Sequence, residues 1–178
     1  MTPKSLLRHK RSTSAMADLT SGGFQTVIDD PAAPPAGVRR IVFCSGKVYY
    51  DLLERREAAG SKDVALVRIE QLYPFPADEY QAIIDRYAAA RQIVWCQEEP
   101  QNQGAWYQIR HRLQAGLGED HALLYAGRES AAAPATGIHA LHQREQDALV
   151  AAALHAAESG ETHRTTPHLT AASTRKSS

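Results

Sequence analysis

The chain has 178 residues, of which 43% are hydrophobic, and its 20 Lys and Arg residues balance its 20 Asp and Glu residues. This length suits one globular domain with tails, and a net charge of zero provides no basic field that would attract nucleic acid or an anionic membrane. The apolar runs are far shorter than the roughly 20 residues of a membrane-spanning helix. We therefore predict no nucleic-acid or membrane partner and a cytoplasmic location, in which Cys44 and Cys96 are buried and reduced.

Composition divides the chain into segments before any periodicity is considered. Residues 31–37 (PAAPPAG) predict a linker, because proline and glycine do not continue regular structure. Residues 157–178 are rich in Ser and Thr and lack apolar periodicity, which predicts a disordered tail. We expect the folded domain at 38–156, with residues 1–30 preceding it.

Strand and helix patterns alternate from the start of this domain. Residues 41–44 form a short apolar run, which predicts a buried strand. Residues 47–59 have helical spacing and end at Gly60, since glycine often follows the last residue of a helix. Residues 64–69 predict a second strand, and Pro76 occupies a plausible first helical position before two acidic residues.

The alternation continues through the second half of the domain. Residues 93–96 and 123–125 predict a third and a fourth strand, with a helix from Gly104 between them and a last helix from Ile138. Strands that are apolar throughout, separated by amphipathic helices, are typical of a parallel sheet that is covered on both faces. The sequence therefore predicts an α/β fold with three layers, in which a mainly parallel sheet has helices on both faces.

The turn after the first strand is the first candidate site, because ligands of α/β proteins bind at the carboxyl ends of strands. Lys47 follows a glycine and begins a helix, so its ammonium and the free backbone N–H groups could hold a phosphate or carboxylate. The same turn could instead contain a solvated or ion-paired lysine. The segment does not match the glycine-rich nucleotide loop of P-loop proteins.

The segment after the third strand, residues 97–106, is more polar than a simple turn requires. Adjacent carboxylates on an extended chain point to opposite sides, so Glu98 and Glu99 could not share a proton as a catalytic pair does. The segment could form an interface or ligand site, or be a purely structural loop. The candidates for an interface or loop role are Glu98, Glu99, Gln103, Trp106 and Arg128.

His139 and His142 are three residues apart near the start of the last helix, but a third metal ligand is hard to find. We therefore predict no metal site, and solvated or capping histidines instead. Arg128 lies in a glycine- and alanine-rich connector, where it could contact an anion or be solvated.

Several of these segments resemble a known family. They are 44–52 (CSGKVYYDL), 64–76 (VALVRIEQLYPFP), 95–106 (WCQEEPQNQGAW), 125–128 (YAGR) and 133–137 (APATG). Together they resemble the C-terminal domain of the decarboxylating component of 2-oxoglutarate dehydrogenase, a thiamine-diphosphate-dependent enzyme with a transketolase-like C-terminal domain. The resemblance extends from about residue 2 to about residue 154.

The resemblance implies that residues 1–30 close the preceding pyrimidine-binding domain and are not a transit peptide, so the chain is expected to be a fragment. With that domain missing, the apolar residues of this segment are expected to have fewer apolar partners than their composition requires, and the segment is expected to be mobile or loosely draped on the body. Those residues are Leu6, Leu7, Phe24, Val27 and Ile28.

The resemblance also implies an activity for the full-length enzyme. With thiamine diphosphate and Mg²⁺, such an enzyme oxidatively decarboxylates 2-oxoglutarate in the tricarboxylic acid cycle and succinylates the lipoamide of a partner acyltransferase. The expected partners of the present domain are the rest of the decarboxylase chain, its homodimer partner and that lipoyl acyltransferase. The cofactor motif and the catalytic pocket belong to other domains, so no catalytic or cofactor residue, and no activity, is expected in this fragment.

Some relatives bind an acyl-CoA effector in this region, which makes Thr2, Lys47 and Gln97 candidate effector residues. The competing hypothesis is a stand-alone, non-catalytic α/β module that regulates by binding an anion such as an acyl-CoA or a nucleotide.

Overall fold

The computed structural model describes residues 3–155, so the candidate Thr2 and the predicted tail at 157–178 lie outside the described residues. Two short 3₁₀ turns occur, at Lys4–Arg8 and at Pro35–Gly37, and the second of them lies between the first two strands. The other elements are α1 Met16–Thr20, β1 Val27–Ile28, β2 Arg40–Cys44, α2 Val48–Ala59, β3 Val64–Ile69, α3 Ala77–Arg86, β4 Gln92–Pro100, α4 Trp106–Ala115, β5 Ala122–Arg128 and α5 His139–Leu154. No helix within 3–155 is long and apolar enough to span a bilayer.

The strands form one five-stranded sheet in the order β1-β3-β2-β4-β5. β2 lies between β3 and β4 and is parallel to both, and β5 is parallel to β4. From β2 the chain crosses to β3 on one side, whereas from β4 it crosses to β5 on the other side. The winding therefore reverses between the neighbouring strands β2 and β4, which is where open α/β sheets form a crevice for ligands.

Helices cover both faces of this sheet, so the predicted three-layer fold is confirmed. Alternate residues of the parallel strands point to opposite faces, and each face has its own apolar core. On one face, Phe43 and Trp95 of the sheet pack with Tyr80 of α3 and Leu113 of α4. On the other face, residues that include Val42 and Val94 pack with α2 and α5.

β1 is a short antiparallel edge strand that the sequence interpretation did not include in the sheet. Val27 pairs with Ile69 and Ile28 with Arg68, and Val27 packs against the apolar core. The edge of β3 gives both Val27 and Ile28 backbone partners, and the expectation of few apolar partners is wrong for Val27. Leu7 and Phe24 fit the expectation, since 73% and 74% of their surfaces are exposed.

Candidate functional site at the carboxyl ends of the strands

Lys47 lies at the point where the winding reverses, directly after the turn that follows β2. Gly46 adopts a φ of 75°, which favours glycine, and the turn delivers Lys47 to the start of α2. The Lys47 ammonium lies 2.5 Å from Glu98 Oε1 and 3.6 Å from Asp51 Oδ2. Partial burial alone would lower the pKa of Lys47, but the hydrogen bond and charge of Glu98, with Asp51, raise that pKa above its ordinary value. Lys47 is thus a cation with two carboxylate partners.

Glu98 and Lys47 belong to a polar network that attaches α5 to the sheet. The Gln146 side-chain amide donates to Glu98 Oε1 at 2.9 Å and to Asp51 Oδ2 at 2.8 Å. Gln146 is buried and comes from α5, whereas Asp51 belongs to α2 and Glu98 to β4. The network therefore joins three elements on one face of the sheet.

Arg128, at the end of β5, extends this network. Its Nε donates to Glu145 Oε2 at 3.0 Å and its Nη2 to Gln146 Oε1 at 3.0 Å, while Nη1 donates to the backbone carbonyl of Glu98. Arg128 Nη2 also lies 3.2 Å from His142 Nδ1. The guanidinium is thus occupied by protein groups, and it positions the amino-terminal half of α5.

Gln97 points to the opposite face and organises the turn from β4 to α4. Its Oε1 accepts from the Trp95 indole at 2.8 Å and from the Trp106 backbone N–H at 3.0 Å. Its Nε2 donates to the carbonyls of Glu99 at 3.1 Å and Pro100 at 3.2 Å. These contacts use both amide donors and both acceptor positions.

Close packing around Gln97 explains the glycine and aromatic residues nearby. A Cβ at Gly104 would collide with the Gln97 side-chain amide, so this position has room only for glycine. The Trp106 ring packs against Tyr125, with ring centroids 5.1 Å apart. Gln103 Nε2 donates to the Ala131 carbonyl at 2.7 Å and so ties this turn to the connector after β5.

Glu98 and Glu99 point to opposite sides of β4, as predicted for adjacent residues of an extended chain. Glu98 joins the α5 network, whereas Glu99 is exposed and lines a cleft of about 880 Å³ on the α3–α4 face. The cleft is lined by the loop that follows β3, by the turn before α4 and by α4 residues as far as Arg112, together with the buried Gln97. Its size is that of a small-molecule site.

Both cysteines are free and buried, as predicted. Burial raises the pKa of Cys96 to about 12, and burial together with the Cys96 sulfur raises that of Cys44 well above its ordinary value. Neither is therefore a nucleophile at neutral pH. Within residues 3–155, no three His, Cys, Asp or Glu side chains come together as a metal site, and His142 lies against Arg128.

The structure brings Lys47 together with Glu98, and it places Gln97 on the other face of the sheet. Asp51 and Gln146 are the partners that the sequence interpretation missed. Asp51 could have been found from its i, i+4 spacing with Lys47, which is favourable for an ion pair on a helix. Gln146 carries no such signal, because it is almost 100 residues away in the chain.

These features define a doubly wound α/β domain whose polar carboxyl edge is used mainly to join its own elements. The family described as "2-oxoglutarate dehydrogenase C-terminal" matches residues 13–154, and the chain belongs to this family.

Individual relatives agree with this assignment. The chain is 50% identical over 155 residues to a 2-oxoglutarate dehydrogenase E1 component of Haemophilus influenzae, and the match covers 86% of this chain and 17% of that protein. It is 49% identical over 154 residues to the E1 component of Azotobacter vinelandii, covering 84% of this chain and 16% of that protein. The chain therefore spans about one sixth of the length of these relatives.

Proposed function

We propose that this chain is the C-terminal structural domain of a 2-oxoglutarate dehydrogenase E1-type enzyme. The observation that carries this proposal is the family match over residues 13–154, combined with polar side chains that bind one another at the carboxyl edge. An edge whose polar side chains bind one another suits a domain that supports neighbouring domains. The reaction of the whole enzyme would take place in those neighbouring domains.

Such an enzyme uses thiamine diphosphate and Mg²⁺, and the residues of this domain do not fit that cofactor. A diphosphate needs available cationic or N–H donors. Here the ammonium at the reversal of winding has two carboxylate partners, and the Arg128 guanidinium is occupied by Glu145, Gln146 and a carbonyl. We derive no catalytic step through the cofactor in this domain. Its proposed partners are the rest of the decarboxylase chain, a homodimer partner and a lipoyl acyltransferase, in the cytoplasm.

A chimera provides the positive test of this role. Residues 13–154 of this chain would replace the corresponding part of the Haemophilus influenzae E1 component, and 2-oxoglutarate decarboxylation with thiamine diphosphate and Mg²⁺ would be measured. We expect the chimera to be active and the 178-residue chain alone to be inactive. A folded chimera without activity would contradict the proposed role, and so would turnover or tight cofactor binding by the isolated chain.

The alternative function is a stand-alone module that binds an acyl-CoA or a nucleotide through Lys47 and its neighbours. The exposure of Gly46 beside Lys47 favours it, but an incoming phosphate would have to replace Glu98 as the partner of Lys47. Titration with CoA and ATP tests this function. If Lys47 holds the anion, Lys47→Ala weakens binding about 10- to 150-fold, the effect of losing one charge-assisted contact.

A further inference from the structure

Cys44 and Cys96 are neighbours on two adjacent inner strands of the sheet. Cys44 ends β2 and is the register partner of Cys96 on the parallel strand β4. Register partners on adjacent strands point to the same face, and both thiols lie in the apolar core that the sheet forms with α2 and α5. Each cysteine is 0% exposed, and both are free. The core therefore contains two thiols side by side, and the proposed structural role does not use them.

The spacing of the two strands is unfavourable for a disulfide between these thiols. Adjacent strands lie about 4.8 Å apart, and the side chains of register partners leave them in parallel, so the two Cβ atoms keep about that separation. A disulfide needs Cβ atoms about 3.8 Å apart. The strands would therefore have to approach each other by about 1 Å, at a point where their paired backbones fix their separation.

The same spacing suits a metal ion between the two sulfur atoms. Metal–thiolate bonds are about 2.3 Å long, as they are for zinc, so a linear unit of sulfur, metal and sulfur spans about 4.6 Å. This length is close to the strand spacing of about 4.8 Å. Thiolate is a soft ligand and selects soft metal ions. The pair can therefore bridge a thiophilic ion that takes two ligands in a line.

Ligand number and charge narrow the choice of ion. Zinc takes four ligands in structural sites, and within residues 3–155 no three His, Cys, Asp or Glu side chains come together. A monovalent ion such as Cu(I) would leave two thiolates with a net negative charge in an apolar core, in the field of the carboxylates of Glu98 and Asp51. A divalent ion forms a neutral unit with two thiolates. The mercuric ion meets all of these conditions, because it is divalent, soft and linear in its two-coordinate complexes.

We propose that Cys44 and Cys96 form a buried two-coordinate site for the mercuric ion. Hg²⁺ displaces the proton of each thiol, so that two Hg–S bonds replace two S–H bonds and two protons pass to solvent. No oxidant or reductant is required. The bridge joins β2 to β4 where the winding of the sheet reverses. This site belongs to the domain itself and does not depend on the activity of the enzyme to which the domain belongs.

The ion enters where α5 covers the thiols. Leu149 and Val150 of α5 belong to the same core as both cysteines, and Gln146, one turn earlier, fastens this helix to Glu98 and Asp51. Local opening of α5 exposes the thiols, and loss of the Gln146 hydrogen bonds makes that opening easier. Loading is therefore slow in the parent chain.

Native mass spectrometry of the 178-residue chain with mercuric chloride tests the site, because the sequence contains two cysteines in all. We expect one Hg²⁺ per chain with the loss of two protons, and X-ray absorption should show two sulfur neighbours at about 2.3 Å. In competition with glutathione, Cys44→Ala and Cys96→Ala should each weaken binding roughly 100- to 10,000-fold, because the second Hg–S bond no longer forms within the same molecule. Circular dichroism checks that both variants fold, and X-ray absorption of the parent chain is decisive if they do not.

The rate of loading tests the route. Gln146→Ala should load at least about 10-fold faster than the parent, the effect of losing hydrogen bonds to charged groups on the opening of α5. Gln143→Ala is the matched control, since Gln143 is exposed and donates to Asp147 within the same helix.

A folded parent chain that takes up no mercury, or that gives one sulfur neighbour per ion, overturns the proposal. Mercury that bridges two chains, single-cysteine variants that bind as tightly as the parent, or equal loading of Gln146→Ala and Gln143→Ala would also overturn it.

Discussion

Gln97 shows how one buried side chain can order the polar end of a strand. It is 3% exposed, and its amide makes four hydrogen bonds within the turn from β4 to α4. Gln97→Ala leaves the buried Trp95 indole N–H and the Trp106 backbone N–H without their acceptor. We expect a loss of about 2–4 kcal/mol in the free energy of unfolding, measured by urea denaturation.

Gln103→Ala is the control for this substitution. Gln103 is exposed and makes one hydrogen bond, to the Ala131 carbonyl, so we expect a loss of less than about 1 kcal/mol. Equal losses for the two variants would mean that the hydrogen bonds of Gln97 are exchangeable with water.

The buried thiols predict how stability depends on alkaline pH. Burial raises the folded-state pKa of Cys96 to about 12, and that of Cys44 also rises. The pKa of a thiol in the unfolded chain is about 8.5. Below that pH the thiols are neutral in both the folded and the unfolded state, so the stability that depends on neutral thiols is fully present. As the pH rises further, the unfolded chain releases its protons first, so stability should fall progressively towards about pH 12.

The buried tyrosines reinforce the same trend, because burial raises the pKa of Tyr80 and Tyr87. Denaturation in guanidinium chloride from pH 7 upwards measures the slope, and the double substitution of both cysteines by alanine should reduce it. An unchanged slope in that variant would assign the whole effect to other groups.

For single residues, the sequence predicted alternatives in some cases and one definite outcome in others. An ion-paired Lys47 was one of two interpretations, and the partner could not be identified, because Glu98 is 51 residues away. The opposite directions of Glu98 and Glu99 were predicted correctly, since strand geometry alone determines them. The hydrogen bonds that Gln97 makes depend on the conformation of the turn from β4 to α4. They could not be predicted, because no local sequence pattern specifies that conformation.

At the scale of elements, the edge of the sheet is held by a buried ion pair. Asp30, just after β1, binds Arg56 of α2, and both side chains are almost fully buried. Asp30 Oδ2 also accepts from the Leu66 N–H at 2.9 Å, while Arg56 donates to the Val64 carbonyl at 3.1 Å. The pair therefore joins β1, α2 and β3.

Removing one member of this pair should be costly. Asp30→Ala leaves a buried guanidinium without its carboxylate, and we expect a loss of about 3–5 kcal/mol in the free energy of unfolding. The Leu66 amide should also exchange faster with solvent, which hydrogen exchange can measure directly.

The exposed pair between Arg11 and Glu57, 2.6 Å apart, provides the comparison. Glu57→Ala should cost less than about 1 kcal/mol, because solvent screens this pair. If Asp30→Ala costs no more than Glu57→Ala, the buried pair does not hold the edge of the sheet.

The success of element prediction depended on the length and burial of each element. The second predicted strand has the same bounds as β3, because a six-residue run that is apolar except for Arg68 lies between the charged residues Asp63 and Glu70. β4 was predicted to end at Cys96 but continues to Pro100, since its polar end still pairs with β5 after a register irregularity. β1 was missed, because two residues carry no periodicity.

At the scale of the whole molecule, the described chain consists of a compact body and an amino-terminal segment with little burial. Neither the turn at Lys4–Arg8 nor α1 contains a buried residue, and Met16 and Leu19 expose about three quarters of their surfaces. β1, in contrast, is hydrogen-bonded to β3. Backbone pairing with the sheet therefore begins at about residue 26, four residues before the predicted domain boundary, whereas His9 and Arg11 contact α2 through their side chains.

Limited proteolysis tests this division, because proteases cut where the backbone is exposed and can open locally. We expect rapid removal of residues up to about 26, and on composition also of the predicted tail at 157–178, leaving a resistant core that keeps β1. Hydrogen exchange should agree: the amides of Leu6 and Leu7 should exchange quickly, whereas Leu66 and Val67 of β3 should be protected. Equal protection of the two pairs would make the amino-terminal segment an integral part of this domain. A first cleavage after residue 30, with loss of β1, would instead restore the boundary that the sequence predicts.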